Sequence, residues 1–344
     1  MTEVLRLSNS KANTYLRCPK RYDYRYVQGL RPKAKALPLE RGTWLHTLLE
    51  THYAFDERHQ IFTHADRQHL HGVTVGTNWK KAHAVLTQQF HNLFDEEKED
   101  LGDLPTECRR IFASYLARYG TEDRRQWKVI DTELDEIITL PSGLRFQIII
   151  DLIVEDLHGG VWIVDHKTVG RFMPVDFMLL DSQLARYFWG AEHMGYGPLR
   201  GIIYNEVNTT PPTLPKLLAT KPELEKRANL RCDVYTYLRE IKRLGLEIEP
   251  HRDFLKRLNS QRDDWFRRTR LPKDPVLIAQ LMKELEMTAN SIRGAEASNE
   301  FPRSASKDCT WGCEFLHACQ VELMGGDASD IIKSRFTTAA ERDL

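Results

Sequence analysis

Ile148-Ile149-Ile150-Asp151, followed by Val161-Trp162-Ile163-Val164-Asp165-His166-Lys167-Thr168, are two apolar stretches of strand length that each reach a carboxylate. His158-Gly159-Gly160 turns the chain between them. Short apolar runs bounded by turn residues read as buried strands. Such strands take Ile and Val inward, but Asp151, Asp165 and Lys167 are then gathered at strand ends, where two carboxylates and an amine need a partner. A divalent metal fits that need. Asp165 and Lys167 are two residues apart and project from one face, while the His166 side chain goes to the other. The His166 carbonyl is then left to complete the shell of a hard cation, with Lys167 beside the polarised water. Taken alone, a D-x-K strand fits equally well a surface hairpin carrying a solvated ion pair.

Two further features count against the bare hairpin. Gln183 and Tyr187 are i and i+4 on an expected helix, and Arg186 shares their face. Upstream, Arg41-Gly42-Thr43-Trp44-Leu45-His46 opens an amphipathic stretch with Leu45, Leu48, Leu49 and Tyr53 as its apolar positions. His46 then offers an imidazole near a helix start as a third metal ligand.

In this order, His46, Asp151, Asp165-x-Lys167 and Gln183-xxx-Tyr187 resemble the PD-(D/E)XK nuclease superfamily in its RecB-like branch. That branch includes the nuclease domains of bacterial recombination complexes, the iron-sulfur exonuclease V family and the CRISPR spacer-acquisition nucleases. The resemblance runs from Leu7 to about Cys319, with no motif between residues 55 and 130. It implies an α/β (α+β) fold in which a central mixed β-sheet, the restriction-endonuclease-like core, is flanked by helices. It also implies metal-dependent hydrolysis of DNA phosphodiesters, with exonuclease action on single-stranded or duplex ends as the leading form. Asp151, Asp165 and Lys167 would be catalytic. His46, Asp151, Asp165 and the His166 backbone carbonyl would hold Mg2+ or Mn2+, and Gln183, Tyr187 and Arg186 would lie along the phosphate backbone. Glu133, competing with Asp131, Asp135 and Glu136, is a lesser candidate for an acid behind these ligands. Two positions depart from the family pattern: Ile148 stands where a small residue is common, and Asp165 replaces the commoner Glu.

The cysteines form a second constellation. Cys309, Cys313 and Cys319 lie together in CTWGCEFLHAC, and Cys18 sits in LRCPKRY far upstream. Four thiolates suit an iron-sulfur cluster or a structural zinc. One N-terminal and three C-terminal cysteines resemble the branch's [4Fe-4S] arrangement, which would clip the two ends of the chain together. Zn2+ is the alternative, since His317 would replace Cys18 in a local Cys3His site. Disulfides are not expected, because no signal peptide or membrane span is visible and the chain reads as cytoplasmic, in a bacterial or phage-infected cell. Cys108 and Cys232 lack partners at ligand spacing.

Lys plus Arg and Asp plus Glu balance at 49 each, which excludes a global positive field. The basic charge is local. One cluster holds Arg17, Lys20, Arg21, Arg25, Arg31, Lys33 and Lys35, and another holds Arg252, Lys256, Arg257, Arg262, Arg267, Arg268 and Arg270 around Trp265 and Phe266. Arg17, Lys20 and Arg21 are the expected DNA contacts; Tyr15, Tyr22 and Tyr26 share a helical face and read as core.

The chain divides into N-terminal helices (1–54), a helical insertion (55–127), the nuclease core (128–207) and a helical C-terminal region (208–344). Expected helices cover 7–18, 43–54, 78–94, 107–119, 221–242, 250–266 and 274–293. Expected strands cover 128–140, 144–155, 161–167 and 199–206, with a turn at Pro141-Ser142-Gly143. No G-x-x-x-x-G-K-[ST] loop is present, so a helicase or other recombination protein would be a separate partner. Two rival readings are an inactive DNA-binding or scaffold protein with the nuclease fold, and a zinc-stabilised structural protein.

Overall fold

Four of the sheet's six strands follow the sequence patterns closely. In the computed structural model, which describes residues 6–33, 36–54, 69–70, 73–74, 78–140 and 142–338, the six are β1 (Arg6–Ser8), β2 (Trp127–Thr139), β3 (Arg145–Asp156), β4 (Val161–Val169), β5 (Leu199–Asn208) and β6 (Phe266–Pro272). They form one mixed sheet in the order β1-β3-β4-β5-β6, with β2 on the remaining edge of β3. The β3–β4 turn is written into its residues: Asp156 Oδ1 accepts the N–H groups of His158 and Gly160, both at 2.9 Å, and Gly159 takes the left-handed conformation at φ 74°.

Helices cover both faces. The main ones are α1 (Asn9–Arg17), α2 (Leu37–Ala54), α3 (Leu104–Tyr115), α4 (Ser182–His193) and α5 (Pro275–Ser298). Ile163 and Ile202 pack with α4 and α5, whereas their neighbours Val164 and Ile203 pack with α2 and α3. Burial on both faces explains why these strands read as unbroken apolar runs. Along β3 the alternation breaks at one place: Ile150 and Ile153 share a face, so the parity shifts across Asp151.

The same place is a fork. β2 runs along one edge of β3, while the other edge carries β1 up to Gln147 and β4 only from Leu152, which pairs with Val164. Beyond Val164, β4 continues through Val169 paired to β5 alone. Asp151 and Asp165 lie where the two strands part.

Several expected elements differ. Residues 6–8 form a strand, and Ser8 caps the helix that follows by accepting the Lys11 N–H at 3.3 Å. α2 begins at Leu37, so His46 lies in mid-helix. The helix expected over 221–242 is confined to Val234–Arg243, because the Asp233 carboxylate caps Tyr235 and Thr236 (2.8 and 3.0 Å) and fixes the start there. Phe266–Pro272 extends as an edge strand beside β5. The sheet therefore takes β1 and β6 from outside residues 128–207. The insertion is helical over Trp79–His91, Asp95–Leu101, Leu104–Tyr115 and Thr121–Gln126. Most of 55–77, together with Lys35 and Pro141, lies outside the described residues. Cys108 and Cys232 are packed core thiols. Among the described residues no helix is long and apolar enough to cross a membrane.

Candidate active site

The fork decides which side chains meet. Once β3 and β4 separate, the His166 N–H has no β3 carbonyl to bond, and Asp151 Oδ2 accepts it at 2.6 Å. Asp165, 1 % exposed, accepts from Lys167 Nζ at 3.1 Å, and the same ammonium donates to Gln183 Oε1 at 2.6 Å. Gln183 Nε2 then donates to the Tyr187 hydroxyl. From the opposite face α2 delivers His46, one ring nitrogen of which lies within 4.8 Å of a carboxylate oxygen of Asp151 and of one of Glu133.

Glu133 is the residue that sequence reasoning ranked too low. A register was available: counting back from the tight turn after β2, where Thr139 pairs with Arg145, places Glu133 opposite Asp151. Its backbone sits at φ 47°, a conformation a non-glycine residue rarely takes within a strand. Strain of this kind concentrates where side-chain placement matters more than local comfort.

The electrostatics suit a cation. Burial raises the Asp151 carboxyl above the ordinary aspartate range despite Lys167 and the His166 N–H. Burial likewise raises Asp165, with Asp151 adding to the effect against the pull of Lys167. Burial also lowers His46 to about 4, with help from Lys167, so the imidazole is neutral and ready to ligate. Burial works against the Lys167 charge, but Asp165 and Asp151 outweigh it and hold the ammonium above the ordinary lysine value. Asp165 Oδ2 is buried and accepts no hydrogen bond among the described residues, although Lys167 Nζ lies 2.9 Å away. A buried carboxylate oxygen left in this state, beside a His-Glu-Asp cluster, fits a hard divalent cation.

A model of the PD-(D/E)XK nuclease superfamily matches residues 6–320. The chain belongs to that superfamily. A comparison with curated proteins returned no match. Membership indicates a nuclease, and so a hydrolase, and divalent-metal use is typical of the superfamily.

For the metal-free nuclease, the raised carboxyl groups carry a pH signature. A carboxyl whose folded pKa exceeds its unfolded value binds more protons when folded, so stability falls as pH rises from the usual aspartate range toward neutrality. Lys167, raised above its own high value, contributes no slope there. Burial lowers the pKa values of His46, His52 and His166, and these contribute the opposite slope, so the carboxyl effect is read as a difference: in urea titrations of metal-free protein, the stability of the wild type relative to Asp165→Asn should fall from pH 5 to pH 7.5. A relative stability that rises over that range would contradict this.

The remaining site candidates are dispersed. Arg186 is 2 % exposed and donates to Asn9 and, at 3.4 Å, to Asn13. It ties α4 to α1 and has almost no surface for a phosphate. Tyr187 is 5 % exposed, and Gln183 holds Lys167. The N-terminal basic residues face acids of the cysteine segment: Arg21 and Arg25 reach Glu314 at 2.5 and 2.9 Å, Lys20 reaches Glu322 at 3.1 Å, and Arg17 reaches Asp308 at 3.5 Å. The second cluster is largely engaged too, as when Arg267 pairs with the fully buried Glu206 at 2.5 Å.

The same ion pairs bring the Cys18 segment onto the Cys309–Cys319 segment, where Tyr24 stacks on Phe315 at 5.0 Å. Cys18, Cys309, Cys313 and Cys319 are half-buried and form no disulfide. Arg303 Nε donates to Cys319 Sγ at 3.3 Å and the Ser306 N–H to Cys309 Sγ at 3.5 Å. Among the described residues no three of these thiols and His317 lie within 4.8 Å of one another, whereas the thiolates of one tetrahedral zinc stand about 3.8 Å apart. His317 is exposed.

Proposed function

We propose that this nuclease is a metal-dependent deoxyribonuclease that degrades DNA from single-stranded or duplex ends. The observation that carries the reading is the convergence of His46, Glu133 and Asp151 beside the Asp165–Lys167–Gln183 chain. A neutral imidazole with carboxylates suits Mn2+ or Mg2+, held by His46, Glu133, Asp151 and Asp165 with the His166 carbonyl. When bound, such an ion supplies Lewis-acid polarisation of a phosphoryl oxygen and lowers the pKa of water.

The chain's own residues do the rest. Lys167, kept charged by the carboxylates, gives its remaining hydrogen to the phosphoryl oxygens that gain charge in the transition state. Asp165 and Gln183 accept the other two ammonium hydrogens and so aim the third, while Tyr187 fixes Gln183. Glu133→Gln, which keeps shape but loses charge, should raise the Mn2+ concentration for half-maximal activity roughly 10- to 100-fold. An unchanged Mn2+ requirement would remove Glu133 from the ligand set.

End-labelled single-stranded, duplex and circular DNA incubated with Mn2+ test the reading. Degradation of linear but not circular substrate supports exonuclease action; cleavage of circles makes it an endonuclease; no cleavage by pure, metal-loaded protein returns the fold to a binding or scaffold role.

A [4Fe-4S] cluster on Cys18, Cys309, Cys313 and Cys319 belongs to the same proposal. Its support is the docking of the two segments and the N–H donors on two of the sulfurs, the environment that thiolates of a cluster take. Cys18→Ala should then strip iron and brown colour from anaerobically purified protein and lower its unfolding midpoint, with His317→Ala doing neither. If His317→Ala releases zinc and Cys18→Ala does not, the site is the local Cys3His alternative.

A further inference from the structure

We propose that Asn205 is a positioning residue of the active site, holding the main chain of His166 at the fork through the imidazole ring. The inference rests on the nuclease reading for its catalytic consequence, though not for its geometry.

Asn205 is the β5 residue in direct register with His166, and both side chains are buried, at 0 % and 3 % exposure. Asn205 Nδ2 lies 2.7 Å from His166 Nδ1. The direction of that bond follows from the donors around it. Arg268 Nε, which has only a hydrogen to give, contacts Asn205 Oδ1 at 2.9 Å, so the amide oxygen faces Arg268 and the amide nitrogen faces the ring. His166 Nδ1 is then an acceptor, and Nε2 carries the proton.

The assignment propagates through the network. Tyr53 must donate to Asp123 Oδ2 at 2.7 Å, since a carboxylate only accepts, and so Tyr115 donates to Tyr53 at 2.8 Å. The Tyr115 oxygen in turn accepts from Asn205 at 3.1 Å and from Arg268 Nη2 at 2.8 Å. Arg268 closes the circuit on both oxygens of Asp123, at 2.6 and 2.8 Å. One proton arrangement satisfies Asn205, Tyr53, Tyr115, Arg268 and Asp123 together, and a buried polar network in that condition is rigid.

Rigidity here has a particular target. The His166 ring is clamped between the Asn205 bond and a stack on Tyr53, with centroids 5.6 Å apart at 16°. The main chain of the same residue gives its N–H to Asp151, at the point where β4 has lost β3 as a neighbour. The side-chain rung from Asn205 reinforces the β5 ladder, which alone still holds β4 at this point, so Asp151 finds its donor in place before any metal arrives. Preorganising a ligand through its hydrogen-bond partner raises metal affinity without touching the metal.

Two variants test this. Asn205→Leu removes the rung at similar size, and Asn205→Asp keeps the acceptor for Arg268 but loses the donor for the ring. Mn2+ titration calorimetry, which needs no DNA cleavage, should show binding about 10- to 100-fold weaker in both. Long-range 15N spectra of histidine-labelled protein should show His166 Nδ1 unprotonated in the wild type and protonated in Asn205→Asp. In cleavage assays kcat should fall while KM for DNA stays within about twofold, the pattern of a group that acts on the chemistry alone. Wild-type Mn2+ affinity in a folded Asn205→Leu protein would overturn the proposal, as would a wild-type His166 protonated on Nδ1. A kcat loss matched by the fraction unfolded, with Mn2+ affinity of the folded fraction intact, would also overturn it. Failure of the wild type to cleave any DNA would sink the nuclease reading and leave calorimetry and spectra to judge the network.

Discussion

Asp165→Ala and Lys167→Ala should each lower the DNA cleavage rate by about three orders of magnitude or more while leaving DNA binding largely intact. Asp165 is a buried carboxylate whose only close cation among the described residues is Lys167, so it has nothing to contribute to a ground-state complex that a flanking phosphate contact would not supply. Its removal takes away a proposed metal ligand and the group that holds the ammonium in place. Lys167→Ala leaves both carboxylates for the metal but removes the charge that meets developing negative oxygen. The two losses overlap because the residues act as one unit, and the double variant should be barely worse than either single one. Burst-free single-turnover assays with metal-loaded, contaminant-free protein check this. Wild-type rates in either folded variant would mean that the chemistry lies elsewhere.

Arg268→Met should destabilise the fold by about 3–5 kcal/mol, read as a shift of the urea midpoint. Asp123 is 4 % exposed and Arg268 covers both its oxygens; deleting the guanidinium strands a buried charge and unsatisfies Asn205 and Tyr115 together. Replacing the pair, Asp123→Leu with Arg268→Met, should recover much of the loss, because a buried ion pair costs desolvation that an apolar pair does not. Arg268 also lies 3.7 Å from the centroid of the Tyr119 ring, so its stem and face are packing as well as charge. A single variant as stable as wild type would show that the network contributes nothing to folding, and the clamp on His166 would lose its footing.

Arg268 shows why charge is hard to read along a chain. In the sequence it is one of a run of arginines beside Trp265 and Phe266, the composition of a phosphate-binding groove. In the fold it lies on an edge strand, turned toward Asp123 from a helix of the insertion. Arg186, Arg21 and Lys20 repeat the lesson: each has a partner far away in the sequence, and no local pattern announces that partner. A guanidinium looks the same in a sequence whether it awaits DNA or is already paired.

What the sequence determined by itself is what depends on near neighbours. Apolar runs broken by Gly and Asp specified β3, β4 and the turn between them, because strand alternation and turn chemistry act over a few residues. The spacing of Asp165 and Lys167 put both on one face for the same reason, and the order of His46, Asp151, Asp165, Lys167 and Gln183 identified the superfamily. Glu133 was within reach, since a tight turn fixes hairpin register, but only once the pairing was counted back along the whole strand. What the tertiary structure alone decided is the fork between β3 and β4, which brings α2 from one face and α4 from the other to a single place. It also decided which cations are already neutralised and that Asn205, not a residue of any motif, meets the His166 ring. These depend on contacts between segments tens to hundreds of residues apart, and such contacts are set by how whole layers pack, a cooperative property of the chain that no local run of residues carries.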